Sequence, residues 1–338
     1  MGTDSIDDLR VESEPLRTTF HSVLGGGMDF DSLPMRLFVQ GNQKAWDPSQ
    51  IDFSEDAEQF QLLDERQQAG IVGLAVQFMI GEEAVTEDIQ PFMHAMAVEG
   101  RLEDEMYLTQ FAFEEAKHTE VFRRWLNAVG VTEDLHHRIE QGMNANGGGM
   151  LGGIFTMEQP QAMRRLWTDQ SPEAQIRANV VYNQFVEGTL ALTGYWLWAK
   201  ILDSLDGLFP GMRQIIRYIS TDERRHLAWG TYNIRRHVAA DDAMWEVAKA
   251  NLDEMLDRMV RNEELRRERV AANGGLKEGG MLGSAIGIGP NERYEYQLSR
   301  LKRRYGAIES ARGASSEQVS HGLEDEDADE AGYASLSS

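Results

Sequence analysis

Two short segments of the sequence place a histidine three residues after a glutamate, Glu115 with His118 and Glu223 with His226. Residues three apart share one face of a helix, so each segment points a carboxylate and an imidazole at the same place. Carboxylate oxygens and imidazole nitrogens, without any thiolate, suit iron or manganese. Two such pairs, joined by one inward glutamate from each of two further helices, make the di-metal carboxylate site of a four-helix bundle.

Glu82 and Glu187 are the candidates for the two remaining glutamates. Each precedes one of the paired segments by a similar number of residues, so the chain has the outline of an internal duplication. Two helix pairs with the same order of ligands would pack together as one bundle. The charges also match, because four carboxylates and two neutral imidazoles balance two divalent ions.

The spacing alone is a weak signal, since a chain with eight histidines has about one Glu-x-x-His match by chance. A third match, Glu133 with His136, lies in a polar stretch, and we interpret it as surface. The other two lie on apolar faces, where an ionised glutamate is costly unless it is paired or binds a metal. A buried ion pair is the alternative, but no arginine or lysine lies at a matching inward position in the predicted helices.

The elements that position these residues are all predicted to be helical. Apolar residues at helical intervals predict helices over 55–99, 102–129, 172–205, from 210 onward, 241–272 and 291–308. Glycine-rich runs at 142–153 and 273–290 are predicted to interrupt them. Because no segment shows a convincing strand pattern, the fold class is predicted to be all-α, a helical bundle core with additional helices.

Length and composition set the frame for this bundle. The 338 residues show no sign of a second domain, and we divide them into an N-terminal extension (1–50), a helical domain (51–310) and an acidic tail (311–338) expected to be disordered. The chain has no cysteine, which excludes disulfides, zinc–thiolate sites, iron–sulfur clusters and a cysteine nucleophile.

Charge indicates which partners are unsuitable. The formal net charge of −23 would repel nucleic acid and anionic membranes, and it is typical either of a high-salt cytoplasm or of an ordinary acidic protein. The N-terminus lacks the pattern of a secretory signal. The most apolar stretch, near residues 190–202, is too polar for a membrane span. We therefore expect a soluble, cytoplasmic protein.

The order of the six candidate ligands resembles that of the ribonucleotide reductase small-subunit superfamily, from about Trp46 to His226. The resemblance implies a ferritin-like fold, and Trp46, Asp222 and His118 match the electron-transfer chain of that superfamily. Asp222 could also accept the second N–H of a ligand histidine, although an exposed aspartate fits the periodicity about as well.

The subgroup depends on the residue four positions after His118. Radical-generating reductase subunits commonly carry a tyrosine there, whereas this chain has Phe122, like the tyrosine-less manganese/iron reductase subunits and the related ligand-binding oxidases. The segments at 81–92 and 107–120, together with Tyr182, closely resemble the oxidases. That resemblance implies a Mn/Fe pair (di-iron being possible), O₂ activation, an ether cross-link between Val85 and Tyr182, a long-chain fatty-acid-like ligand and a homodimer.

The same resemblance assigns each ligand. It implies manganese at Glu82, Glu115 and His118, iron at Glu187, Glu223 and His226, and a bridging Glu115. From periodicity alone, Val85 is a core residue and Tyr182 a packing aromatic turned away from Glu187. Two alternatives remain open: a reductase small subunit, for which Tyr333 would be the tail tyrosine, and a ferritin-like iron-binding protein.

Overall fold

The computed structural model describes residues 19–136, 153–205, 207–272, 289 and 291–321. Within these ranges the chain forms helices and no strand, which confirms the predicted all-α class. The α-helices are α1 (Leu33–Gln43), α2 (Ser54–Phe60), α3 (Glu65–Asp88), α4 (Gln90–Val98), α5 (Leu102–Ala128), α6 (Gln159–Arg165), α7 (Pro172–Asn179), α8 (Leu192–Ser204), α9 (Pro210–Ala240), α10 (Ala243–Ala272), α11 (Glu292–Glu309) and α12 (Ser316–His321). Two π-helical segments, Ile154–Glu158 and Val180–Ala191, and two 3₁₀ turns, His21–Val23 and Pro48–Gln50, complete the described elements.

Four elements form the central bundle: α3, α5, the π-helical segment between α7 and α8, and α9. Helix α3 packs along α5, while α9 packs against both α5 and the π-helical segment. The buried apolar residues form two clusters, one containing Val85, Phe111 and Tyr182 and the other Phe78 and Phe122. Along each of the four elements, the predicted metal ligands lie between residues of these two clusters. The bundle therefore encloses a polar layer between two apolar ones.

The starts of the bundle helices are fixed by local interactions. Helix α3 begins with a capping box, in which the side chains of Asp64 and Gln67 each accept from the other's backbone N–H. Helix α9 begins at Pro210, after Phe209 in the left-handed region (φ 61°). The buried Asp56 of α2 accepts from two backbone N–H groups of the first turn of α9, and burial raises the pKa of its carboxyl.

Several elements differ from the sequence prediction. The predicted 55–99 stripe is divided among α2, α3 and α4, and residues 172–205 are continuous but π-helical in the middle. Helix α1, in the predicted N-terminal extension, packs against α5 and so joins the bundle. Helix α12, in the predicted tail, packs on α9. Residues 142–152 and 273–288, and the acidic run with Tyr333, lie outside the described residues.

One helical stretch of the described chain, Glu65–Val98, is long and apolar enough to cross a membrane, with a mean hydropathy of 1.3 over its window. This stretch was not the one singled out from the sequence, which lies near residues 190–202. Length and composition are weak support for a span, because core helices pass the same test. Here the stretch is α3 with α4, and it contributes the buried Glu82 to the interior of the bundle.

Candidate metal centre

The four bundle elements bring all six predicted ligands together. Two overlapping groups form, and within each the ligand atoms all lie within 4.8 Å of one another. The groups are Glu82, Glu115, His118 and Glu223, and Glu115, Glu187, Glu223 and His226. Every member is buried, and the most accessible, Glu82, is only 6% exposed. Glu115 and Glu223 belong to both groups, so the geometry offers two carboxylates that can bridge.

Both histidines turn Nδ1 toward this cluster. Nδ1 of His118 lies 3.3 Å from Oε2 of Glu82 and 3.5 Å from Oε1 of Glu223. Nδ1 of His226 lies 2.8 Å from Oε1 of Glu115 and 3.4 Å from Oε2 of Glu223. Because Nε2 of each ring points away, the two imidazoles can offer Nδ1 to metals while Nε2–H donates a hydrogen bond behind them.

The donor atoms fit a pair of divalent metal ions. Nδ1 of His226 and Oε1 of Glu115 lie 2.8 Å apart but not in hydrogen-bonding geometry, and these two atoms, like Oε2 of Glu115 and Oε2 of Glu223, are buried without a hydrogen bond. Buried polar atoms without partners are expensive, so these atoms require something that the protein itself does not supply. A set of carboxylate oxygens and imidazole nitrogens without thiolate suits iron or manganese. Two such ions would satisfy the orphaned atoms and neutralise the four carboxylates.

The pKa values of the carboxylates and histidines in the cluster also support a metal site. Burial, followed by repulsion from Glu223, raises the pKa of Glu115 to about 7, and the same two causes raise that of Glu187 well above its usual range. Burial alone would lower the pKa of His118 and of His226, but the surrounding carboxylates raise both pKa values well above the ordinary one. Without metal, the cluster therefore holds protons, and metal binding would displace them.

Asp222 is buried directly behind His118, which is the first of the two positions that the sequence left open for it. Its Oδ2 is 3.2 Å from Nε2 of His118 and accepts a hydrogen bond from the indole N–H of Trp46 at 2.8 Å. Burial would raise the pKa of Asp222, but the hydrogen bond to His118 and the charges of that ring, Lys117 and Arg225 lower it below its usual range. Asp222 is therefore ionised and holds His118 in one orientation.

Glu114 plays the same part behind His226, although it was not among the residues predicted from the sequence. Its Oε2 lies 2.9 Å from Nε2 of His226, and Arg225 donates to Glu114 at 2.7 Å and to Asp222 at 2.5 Å. The expectation that no arginine or lysine lies at a matching inward position was therefore wrong, since Arg225 and Lys117 are both buried behind the ligands. They pair with the carboxylates behind the histidines instead of with the ligands.

The signal for this arrangement was present in both paired segments. Each has an acidic residue just before its ligand glutamate and a basic residue just before its ligand histidine, in Glu114–His118 and Asp222–His226. The pairing nevertheless crosses between helices: Asp222 of α9 supports His118 of α5, and Glu114 of α5 supports His226 of α9. Helical periodicity within one segment cannot reveal such an exchange.

Two further polar residues orient ligand carboxylates. The hydroxyl of Tyr195 lies within hydrogen-bond distance of Oε1 of Glu82 (3.1 Å) and Oε1 of Glu223 (3.3 Å). The amide of Asn183 donates to Oε2 of Glu187 at 2.9 Å. Asn183 packs against Gly230, where an added Cβ would lie 1.0 Å from its Oδ1. The glycine on α9 is thus a condition for the position of Glu187.

The two predicted cross-link residues lie in the apolar cluster on one side of the ligand layer. Val85 is 3% and Tyr182 1% exposed. The π-helical segment Val180–Ala191 changes the expected direction of Tyr182, because its hydrogen bonds join residues five apart and bring Tyr182 and Glu187 together across one turn. Burial, and then the charge of Glu187, raises the pKa of the Tyr182 hydroxyl well above its usual range.

Three other features predicted from the sequence lie outside the ligand cluster: Phe122, Trp46 and the pair Glu133 and His136. Phe122 belongs to the opposite apolar cluster and packs on Phe78, with ring centroids 5.6 Å apart. Trp46 is half-buried at the rim of the centre. Glu133 and His136 are both exposed, as their polar surroundings predicted.

Comparison with known proteins gives one family. The family described as "Ribonucleotide reductase, small chain" matches residues 35–274. An R2-like ligand-binding oxidase from Sulfolobus acidocaldarius is 32% identical, with a TM-score of 0.75 over 89% of this chain and 98% of the other. A solved R2-like ligand-binding oxidase with an aerobically reconstituted Mn/Fe cofactor is 35% identical (TM-score 0.75), over 86% and 98% of the two chains. A single-residue variant reconstituted with Fe/Fe is 34% identical, with the same TM-score and coverage.

Proposed function

The chain belongs to the ribonucleotide reductase small-chain family and is an R2-like protein of the ligand-binding oxidase type, and from this premise we propose that it is an O₂-activating oxidase with a Mn/Fe centre. One observation carries the proposal: six buried ligands form two overlapping groups that share Glu115 and Glu223. Phe122, in place of the tyrosine of radical-generating subunits, favours internal oxidation over storage of a tyrosyl radical.

We assign manganese to Glu82, Glu115 and His118, and iron to Glu187, Glu223 and His226, with Glu115 bridging. The shared position of Glu223 allows a second bridge. Di-iron loading is also compatible with this donor set, and a relative has been reconstituted with Fe/Fe. Four ionised carboxylates leave the loaded centre neutral with two divalent ions, which suits its burial between apolar layers.

When bound, the metal pair supplies two of the four electrons that reduce O₂ to two waters. We propose that Val85 and Tyr182 supply the other two. Val85 loses a hydrogen from carbon, Tyr182 loses its hydroxyl hydrogen, and a C–O ether bond forms; solvent provides the two further protons. Burial and the charge of Glu187 disfavour free tyrosinate at Tyr182, so its proton has to leave together with its electron. The apolar surroundings of both residues exclude water from the reaction.

The ligand is proposed to be a long-chain, fatty-acid-like molecule. A carboxylate head offers the kind of oxygen donor that manganese and iron accept, and the apolar clusters on both sides of the ligand layer suit an alkyl chain. A homodimer is proposed as the assembly. Exposed apolar side chains in the segment before α1, on α1 and on α5 support the homodimer; they are Phe20, Val23, Leu24, Phe30, Val39 and Phe113.

The deciding experiment loads metal-free protein with Mn(II) and Fe(II), admits air, and maps the peptides by mass spectrometry. A Val85–Tyr182 cross-linked peptide, lighter by two hydrogens than the sum of its parts, is expected. Anaerobic loading and Tyr182→Phe should each bind metal without forming it. Full metal occupancy with no O₂-dependent cross-link in the unaltered protein would overturn the oxidase proposal.

The second candidate is a reductase small subunit, and one observation favours it. Trp46, Asp222 and His118 form a continuous hydrogen-bonded path from the half-buried indole to the ligand cluster. Such a path suits electron exchange with another subunit. Nucleotide reduction on adding a catalytic subunit, without any Val85–Tyr182 cross-link, would select this function. Iron storage would show as many ions bound per chain, whereas both other functions require two.

A further inference from the structure

Lys117 lies beside Trp46 and Asp222, two members of the hydrogen-bonded path to His118. Its Nζ lies 4.4 Å from the centre of the Trp46 ring and 3.4 Å from Oδ2 of Asp222. The side chain is 5% exposed, so water screens its charge weakly. The ammonium group also lies 5.5 Å from the centre of the Phe113 ring. Lys117 therefore holds a positive charge over the Trp46 ring, next to the carboxylate that accepts the indole N–H.

This charge matters when Trp46 is oxidised. A neutral indole attracts an ammonium group, but an indole that has lost one electron is itself a cation and is repelled by it. Asp222 acts in the opposite sense, because its carboxylate accepts the indole N–H and would stabilise the oxidised ring. Arg225 and His118 already share the charge of that carboxylate. Lys117 adds the positive charge that makes loss of an electron from Trp46 unfavourable.

We propose that Lys117 raises the reduction potential of the Trp46 radical cation and so restricts electron transfer from Trp46 to the oxidised metal pair. The inference rests on the proposed function. In the restricted step, Trp46 would lose one electron to the centre oxidised by O₂ and become a radical cation that keeps its indole proton, and this electron would consume one oxidising equivalent. Lys117 preserves that equivalent for Val85 and Tyr182. It acts through Trp46 and is not itself a ligand.

The first test uses metal-free protein, so it does not depend on the oxidase reaction. The protein is exposed to a photogenerated ruthenium(III) polypyridyl oxidant, and tryptophan oxidation is quantified peptide by peptide. Trp167, which is 48% exposed and distant in sequence, serves as the internal standard. Replacing Lys117 by methionine is expected to raise the Trp46-to-Trp167 oxidation ratio about tenfold, from the lost repulsion between two close charges in a poorly screened site. Lys117→Arg should leave the ratio within about twofold of the unaltered protein.

An unchanged ratio in Lys117→Met would overturn the proposal. Lys117→Gln, which can still contact Asp222 but carries no charge, provides a second neutral variant should the methionine variant fail to fold. It should give the same increase. A rise in Lys117→Arg as large as in the neutral variants would also refute it, because the cause would then be packing and not charge.

The second test uses protein loaded with Mn(II) and Fe(II) and counts cross-links per O₂ consumed. Lys117→Met should lower the yield and increase a transient tryptophan radical seen by rapid-freeze electron paramagnetic resonance. Adding Trp46→Phe to this variant should restore the yield, because the competing electron donor is gone. A yield that stays low in the double variant would contradict the inference. If the unaltered protein forms no cross-link, the proposed function fails, while the metal-free oxidation ratio still decides the role of Lys117.

Discussion

Glu114 of α5 lies behind His226 of α9, and Asp222 of α9 lies behind His118 of α5, so each histidine is held by a carboxylate from the other helix. We expect Glu114→Gln to weaken metal binding on the His226 side selectively. The neutral amide can still accept from Arg225, but it no longer offers a charged acceptor to Nε2–H of His226 at 2.9 Å. Loss of such a partner typically lowers metal affinity about 10–100-fold, which is about 1.4–2.7 kcal/mol at that position.

Stability should fall as well, but by less than complete removal of the pair would cause. Arg225 keeps its bond to Asp222 at 2.5 Å, so the buried guanidinium is not left unpaired. We expect the free energy of unfolding of metal-free Glu114→Gln to drop by about 1–3 kcal/mol, the usual consequence of a weakened buried hydrogen bond to a charged group. Asp222→Asn should reproduce the effect on the His118 side.

The assay is an anaerobic titration with a competing chelator, with manganese and iron counted separately. The matched control is Glu120→Gln, on the same helix, whose ion pair with Arg124 is solvent-exposed with both side chains 46% accessible. It should change neither affinity measurably. Equal weakening of both metal positions in Glu114→Gln, or no weakening at all, would refute the crossed support of the two histidines.

Three other changes test separate parts of the structure. Glu115→Ala should abolish binding of both metals, since this carboxylate belongs to both ligand groups, and a full metal complement by elemental analysis would show the shared-ligand geometry to be wrong. Gly230→Ala should cost about 1–3 kcal/mol of unfolding free energy and lower metal occupancy, because the new Cβ would displace Asn183; Gly73→Ala, whose Cβ would meet nothing within 4 Å, should instead be neutral or stabilise by up to about 1 kcal/mol in the same denaturation series. Burial, and then neighbouring arginines, lower the pKa of His237 to about 2. Only the unfolded chain gains this proton as the pH falls below about 6.5, so this group should remove about 1.4 kcal/mol of stability between pH 7.5 and 5.5. His237→Gln should lose that part of the pH dependence, and an unaltered slope would show that His237 is protonated in the folded protein.

The sequence by itself determined the helical class and the six candidate ligands. The 3.6-residue period fixes which side chains share a helix face, and an ionised glutamate on an apolar face is costly unless something balances it. Those two rules selected Glu82, Glu115 and Glu187 among the many acidic residues. They also left Glu133 at the surface, where the structure has it.

Only the tertiary structure decided how these residues are supported. Glu114 and Asp222 each serve a histidine on the other helix, and Lys117 lies over a ring contributed by a segment far away in sequence. The π-helical turn brings Tyr182 beside Glu187, although α-helical spacing separates them. Periodicity describes one helix at a time, whereas these contacts depend on the distance and rotation between helices. Packing of whole apolar faces sets both quantities, and no local run of residues encodes them.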